Sequence, residues 1–369
     1  MNPQAPVAVH KFGGASVRDA DAIANLEAVL ASRGERRVAV VISAMGKMTN
    51  SLERGLEQRL AGVTVEEAAA PIIARHRLEQ RALGLPDRVL DASIAGLLAS
   101  TARYEDWVSW GEHFSTRLVA AYLEQCGHRV RWVDASQLIR TDGQHPEAVV
   151  DWPATAERCA DLRKTWAAED VARADTDPSW IVTQGFIGGT SEAGPDGASG
   201  ERRTTLGREG SDFSGALIAR GLGADRLTIW KDVPGMMNAD PRIWPDAVCL
   251  EEVNFQDALA MSRAGAGVIH YKTVLPLQAE GLALHVKCFS DPSLPGTVIS
   301  ASGQKKYPAP LIAFAEYSEG VREVSVLHVD LQQARRIIQE KFPEWILESG
   351  QLSGAMAVVR CRVPAVETA

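Results

Sequence analysis

Short β-branched apolar runs alternate along the chain with stretches in which apolar residues recur every three or four positions. Val7–Phe12 reads as a strand, ended by Gly13 and Gly14. The next stretch places Ile23, Leu26 and Leu30 on one helical face. Arg37–Ile42 is apolar almost throughout, as suits a strand covered on both faces. Further strands are predicted at 129–133, 180–183, 226–230 and 284–289, and helices at 104–124, 212–220 and 255–264. Such alternation implies parallel strands joined by crossover helices, hence a layered α/β core. Two segments read as surface excursions: 61–91, helical in composition with mixed charge, and 191–203, a glycine- and charge-rich mobile loop. A boundary is predicted at 300–310. Beyond it lies a compact unit, with strands at 311–316, 323–329 and near 355–361 and a helix at 331–342.

The chain has 369 residues, which suits roughly two domains. Its 39 basic and 47 acidic side chains give a formal charge of −8, so no net positive field gathers nucleic acid. No apolar run approaches the roughly 20 residues that a spanning helix needs, and no basic-then-apolar leader is visible. No membrane association is expected. The five cysteines are scattered and form no CxxC, and the eight histidines show no metal-ligand spacing. A reducing, cytoplasmic setting is the expectation, with no resident metal site.

Four loops share one logic: a strand ends, small residues follow, and a helix begins. Such a turn lets backbone N–H groups and a positive helix end approach an anion. The first, Lys11-Phe-Gly-Gly-Ala-Ser16, reads as a phosphate cradle or as a plain turn with an exposed lysine. The second runs from Ser43 to Asn50, where hydroxyls either bind substrate or cap the next helix. The third runs from Thr204 to Asp212; helix capping explains Ser211 and Asp212 but leaves Arg208 unexplained. The fourth, from Trp230 to Arg242, is a turn on any reading because of its proline and glycine.

Together, the order and wording of these segments resemble the aspartokinases of the amino acid kinase superfamily. Lys11-Phe-Gly-Gly-Ala-Ser-Val17 resembles KFGGTSV, and Val41 to Lys47 is similar to the second family loop. Gly111-Glu112 with Ser115 matches the GE..S helix, and Leu206 to Asp212 resembles LGRGGSD. Ile229 to Arg242 resembles IWTDVPG...DPR, and Gly265 to His270 resembles GAKVLH. The resemblance implies a three-layer α/β/α sandwich with a mainly parallel sheet, spanning residues 1–305. The remainder, 306–369, would be a truncated or degenerate ACT-like α+β unit. The implied reaction transfers the γ-phosphoryl of ATP, with Mg²⁺, to the β-carboxylate of L-aspartate. An ionised carboxylate needs no general base, so catalysis reduces to positioning and charge neutralisation.

By the same resemblance, Lys11 would neutralise the transferred phosphoryl, Gly13 and Gly14 would donate N–H bonds, and Asp212 would orient Lys11. Arg208 would fork onto the α-carboxylate of aspartate and Glu112 would take its α-amino group, with Ser43 and Thr49 completing that site. Ser211, Lys231, Asp232, Met237, Arg242, Gly267 and Val268 fall at nucleotide-contact positions. A homodimer is expected.

The chain departs from the family pattern at Glu209, where glycine is usual, and at Gly267, where a lysine is usual. One anion is gained and one cation lost; Lys231, Lys47 and Lys272 are the candidate compensations. Only about 60 residues follow Pro310 (ordinary domains are larger), so the expectation is either a truncated chain or weak or absent amino-acid feedback. Two other readings stay open: a divergent kinase acting on another carboxylate, and a nucleotide-binding pseudokinase or regulatory subunit.

Overall fold

The computed structural model describes residues 6–172, 178–192, 201–304 and 306–364. The strands in chain order are β1 Val7–Phe12, β2 Arg37–Ile42, β3 Arg129–Val133, β4 Ser179–Gln184, β5 Ile187–Thr190, β6 Arg202–Thr205 and β7 Arg226–Lys231. They continue with β8 Glu252–Asn254, β9 Ala283–Cys288, β10 Thr297–Ser300, β11 Ile312–Ser318, β12 Val321–Leu327, β13 Ile346–Ser353 and β14 Met356–Arg362. Among the described residues, eight strands form the main sheet in the order β3-β4-β2-β1-β7-β9-β10-β8. Pairing is parallel throughout except between β9 and β10.

The pleat of β1 and β2 sorts their side chains between two cores. Val7, Val9, Ala39 and Val41 pack on one face with the helices Trp152–Ala172, Gly210–Gly221, Phe255–Arg263 and Tyr271–Glu280. Phe12, Val38, Val40 and Ile42 pack on the other, against Ala20–Ala31, Met48–Leu60, Val65–Ala82 and Trp110–Gln125. The result is the expected α/β/α sandwich.

Three expectations shift. Segment 61–91 is not a surface excursion: Ala68, Ala69, Ile72, Leu83, Leu85 and Leu90 are buried in the second core. Of the charges on the helix Val65–Ala82, Glu66, Glu67 and Arg81 are exposed, whereas Glu79 is buried and accepts from Ala20 N–H at 2.7 Å. The helix expected at 104–124 divides into Tyr104–Val108 and Trp110–Gln125, meeting at Ser109, whose Oγ bonds the Asp106 carbonyl at 3.4 Å. Most of the loop expected at 191–203 lies outside the described residues; its flanks form the antiparallel pair β5 and β6.

The C-terminal strands form an antiparallel sheet, β11-β12-β14-β13, with the helix Leu331–Lys341 packed on it through Ala334 and Ile338. This is the expected ACT-like α+β arrangement. Leu311, Ala313 and Leu327 reach into the first core of the main body. Asn238 secures the joint: its carbonyl accepts from Ile312 N–H at 2.7 Å, and its Nδ2 donates to the Pro310 carbonyl at 2.8 Å.

Candidate active site

Where β1, β2, β4 and β7 end, their following loops enclose a cavity of about 380 Å³. Parallel strands present their carboxyl ends together, so groups far apart in sequence converge there. Lys11, Gly13 and Gly14 come from the end of β1; Ser43 and Thr49 follow β2; Lys231 and Asp232 end β7. Glu112 enters from the helix Trp110–Gln125, and Ser211 from the start of Gly210–Gly221.

Close backbone approaches lace these loops together. A Cβ on Gly14 would lie 2.7 Å from the Gly46 carbonyl and 2.8 Å from the Ala44 carbonyl. Gly46 N–H donates to the Gly14 carbonyl at 2.9 Å, tying the first two loops together. A Cβ already sits 2.9 Å from where one on Gly111 would be, that of Ala44, which lets the helix carrying Glu112 close on the second loop. Ser115 Oγ fastens that contact by donating to the Ser43 carbonyl at 2.8 Å.

The cavity has a cationic side. Lys11 Nζ lies 2.6 Å from Asp212 Oδ1, and Lys231 Nζ lies 2.8 Å from Asp212 Oδ2. Asp212 is fully buried beneath the wall, in the first turn of its helix. Burial opposes its charge, yet the two ammonium groups hold its pKa below the ordinary carboxylate value. Burial likewise opposes the charge on Lys231, but Asp212, with lesser help from Glu209 and Asp232, holds its pKa above the usual lysine value.

The cavity is also lined by Glu112, which is only 3% exposed. Its Oε1 accepts from Ala44 N–H at 3.1 Å, while its Oε2 has no partner among the described residues. Burial pushes its pKa up to about 8, against the opposing pull of the Ala44 N–H and of Lys11.

Other expected residues stand apart from the cavity wall. Arg208 is exposed, between the wall residues Gly207 and Glu209. Arg242 points to solvent with an 87% exposed side chain, captured by Asp240 at 2.7 Å. Met237, Gly267 and Val268 do not line the cavity, and Gly267 is exposed. Of the candidate compensating lysines, Lys272 pairs with Glu147 at 2.8 Å and Lys47 is exposed; Lys231 alone of the three is on the wall.

The wall also includes Phe186, Trp230, Ala15, Ser16, Gly207, Glu209 and Gly210, none of them proposed as ligands from the sequence. Phe186 follows β4 in Gln184-Gly-Phe-Ile-Gly-Gly, the same strand-then-glycine wording as the four loops singled out above. Phe186 and Glu209 hold left-handed backbone, with φ of 68° and 54°. Such conformations cost a side-chain-bearing residue about 1 kcal/mol and concentrate at functional sites.

A lysine-flanked glycine cradle and a buried carboxylate lining one cavity suit a small zwitterion beside a polyphosphate. The chain is 32% identical over 307 residues to lysine-sensitive aspartokinase 3 of Escherichia coli, an alignment covering 79% of this chain and 64% of that protein. It is 32% identical over 313 residues to the chloroplastic aspartokinase 2 of Arabidopsis thaliana, covering 80% and 54% respectively. The chain thus spans less than two thirds of the length of these curated relatives. The crystal structure of E. coli aspartokinase III in complex with aspartate and ADP superposes with a TM-score of 0.69 at 26% identity, covering 97% of this chain and 79% of that one. Residues 6–288 match the sequence profile of the amino acid kinase family, and with sheet, loops and profile in agreement the chain belongs to that family.

Proposed function

We propose that the protein transfers the γ-phosphoryl of ATP to the β-carboxylate of L-aspartate, forming 4-phospho-L-aspartate. The observation that carries this reading is the unpartnered, buried Glu112 Oε2 in the same cavity as Lys11. A buried carboxylate lacking a partner attracts a cation, and the α-ammonium of an amino acid satisfies it. The lysines and glycine turns of the same cavity suit phosphate. An amino acid anchored at Glu112 therefore has its distal carboxylate directed at the phosphoryl donor.

Ser43 and Thr49 offer hydroxyls beside Glu112, and Arg208 serves the α-carboxylate of the bound substrate. Gly13, Gly14 and Ser211 offer backbone donors to the phosphates, with Lys11 and Lys231 as the cations and Asp212 as their shared anchor. Among the described residues no cluster of three or more His, Cys, Asp or Glu side chains is placed to hold a metal ion. Asp232 on the wall supplies a hard oxygen suited to the Mg²⁺ that accompanies ATP, which neutralises phosphate charge when bound.

The reading divides the chain into a catalytic unit over 1–305 and an ACT-like unit over 306–369. It also includes a homodimer, because β13 is an open edge with Ile346 and Leu352 62% and 63% exposed. A cytoplasmic setting completes it; no helix among the described residues is long and apolar enough to cross a membrane.

The test is incubation with ATP, Mg²⁺ and a panel of amino acids, trapping acyl phosphate with hydroxylamine. Aspartate-dependent hydroxamate is expected. Product from a different acceptor, or none, overturns the assignment. Glu112→Gln is expected to raise the aspartate KM about tenfold or more while the ATP KM moves less than about threefold. An unchanged aspartate KM removes Glu112 from the site.

A further inference from the structure

We infer that Lys231 is a second catalytic cation, acting with Lys11 on the migrating phosphoryl group. The inference rests on the kinase reading above and assigns chemistry within it.

One carboxylate, Asp212, divides its two oxygens between two ammonium groups, at 2.6 Å for Lys11 and 2.8 Å for Lys231. The lysines come from adjacent parallel strands, β1 and β7, in which Lys11 registers with Ile229. Both lysines line the cavity. An ammonium has three donors, so each lysine bonded to Asp212 keeps donors for a ligand. A lysine serving only as counter-ion to a buried carboxylate has no need to reach the wall, and Asp212 already has Lys11.

Glu209 steadies the same group from the rim, with Oε2 3.7 Å from Lys231 Nζ and a side chain 42% exposed. Asp212 and Lys11 cancel in formal charge, so Lys231 leaves the cluster cationic until Glu209 is counted. An arriving phosphate meets Lys231 between an inner, fixed anion and an outer, solvated one, and displaces the outer contact first.

In the transfer itself a β-carboxylate oxygen forms a bond to the γ-phosphorus. The bond from that phosphorus to the bridging oxygen breaks, and its electron pair stays on ADP. No proton moves. Negative charge shifts towards the bridging and peripheral oxygens, and two preorganised cations stabilise that shift better than one.

The experiment compares Lys231→Met and Lys231→Arg with the wild type. Three readouts are taken: hydroxamate kinetics, calorimetric ADP binding without aspartate, and thermal melting. Lys231→Met is expected to lose about 100-fold in kcat while the aspartate KM stays within about threefold. ADP affinity should fall about tenfold, and Lys231→Arg should retain most of both. Should Lys231→Met fail to fold, Lys231→Gln, which keeps a donor to Asp212 without charge, reads the same loss. A folded neutral variant with kcat and ADP affinity within about threefold of wild type overturns the inference. If the wild type makes no hydroxamate from aspartate, the functional reading fails and the catalytic role of Lys231 with it, while an about tenfold loss of ADP affinity in Lys231→Met still supports a phosphate-binding cation there. A wild type that does not bind ADP overturns both.

Discussion

Glu112 occupies a position that disfavours its charge. Its folded pKa of about 8 lies above the ordinary value of 4.5 because burial strips its water. Between these values the unfolded chain has released a proton that the folded chain retains. Stability contributed at low pH is therefore lost as pH rises towards 8. Glu112→Gln lacks this loss. Its melting temperature should match that of the wild type near about pH 4.5 and exceed it by a growing margin up to about pH 8. A constant difference across that range would show that burial does not perturb this carboxyl. Glu209 presents the opposite trade. Its left-handed backbone, φ 54°, favours glycine, and its carboxylate sits on the rim where anions arrive. Glu209→Gly should raise the melting temperature by about 2 °C and strengthen ADP binding. A lower melting temperature would mean that the contact to Lys231 outweighs the backbone strain.

At the scale of elements, the loops function only as a laced set. Gly14→Ala drives a methyl group into two carbonyls of the second loop, and both are backbone atoms that cannot turn aside. A loss of about 1–3 kcal/mol is expected, with weaker nucleotide and aspartate binding together, read by melting and calorimetry. Selective loss of one ligand would show that the loops move independently. Much of this framework was legible in the sequence. The strands Val7–Phe12 and Arg37–Ile42 fall where the apolar runs placed them, because central strands are buried along their whole length; the half-exposed edge strand Arg129–Val133 also falls where expected. β13 was not legible: Ile-Leu-Glu-Ser-Gly-Gln-Leu-Ser is an exposed edge strand, and exposure leaves no apolar alternation to read. The cavity residues from strand-end loops were legible one loop at a time. Phe186 was missed because its loop carries no charged or hydroxyl side chain at the wall, and apolar wall residues resemble core. The sharing of Asp212 by two lysines was invisible, since it depends on which strands become neighbours.

On the scale of the molecule, the ACT-like sheet is fastened to the main body at Asp257. This buried carboxylate accepts from Tyr307 Oη at 2.7 Å, pairs with His328 Nε2 at 2.7 Å, and accepts from Asn254 Nδ2 at 2.5 Å. His328 itself has left-handed backbone, φ 62°, at the end of β12. Asp257→Asn weakens bonds to a charged acceptor, at about 2 kcal/mol. Faster amide exchange is expected in β11–β14, with β1, β2 and β7 unchanged. Uniform acceleration through the whole chain would mean that the two sheets open as a single unit.

The convergence of β1, β2, β4 and β7 also bears on how the chain matures. Lys11 is made early, but its neighbour β7 begins at Arg226, more than half the sequence later. On a ribosome, the first lysine therefore waits for most of the polypeptide before its anchor and its twin arrive. Under the proposed function, nucleotide stabilises only the completed assembly, so its binding would double as a check that the distant halves have found each other.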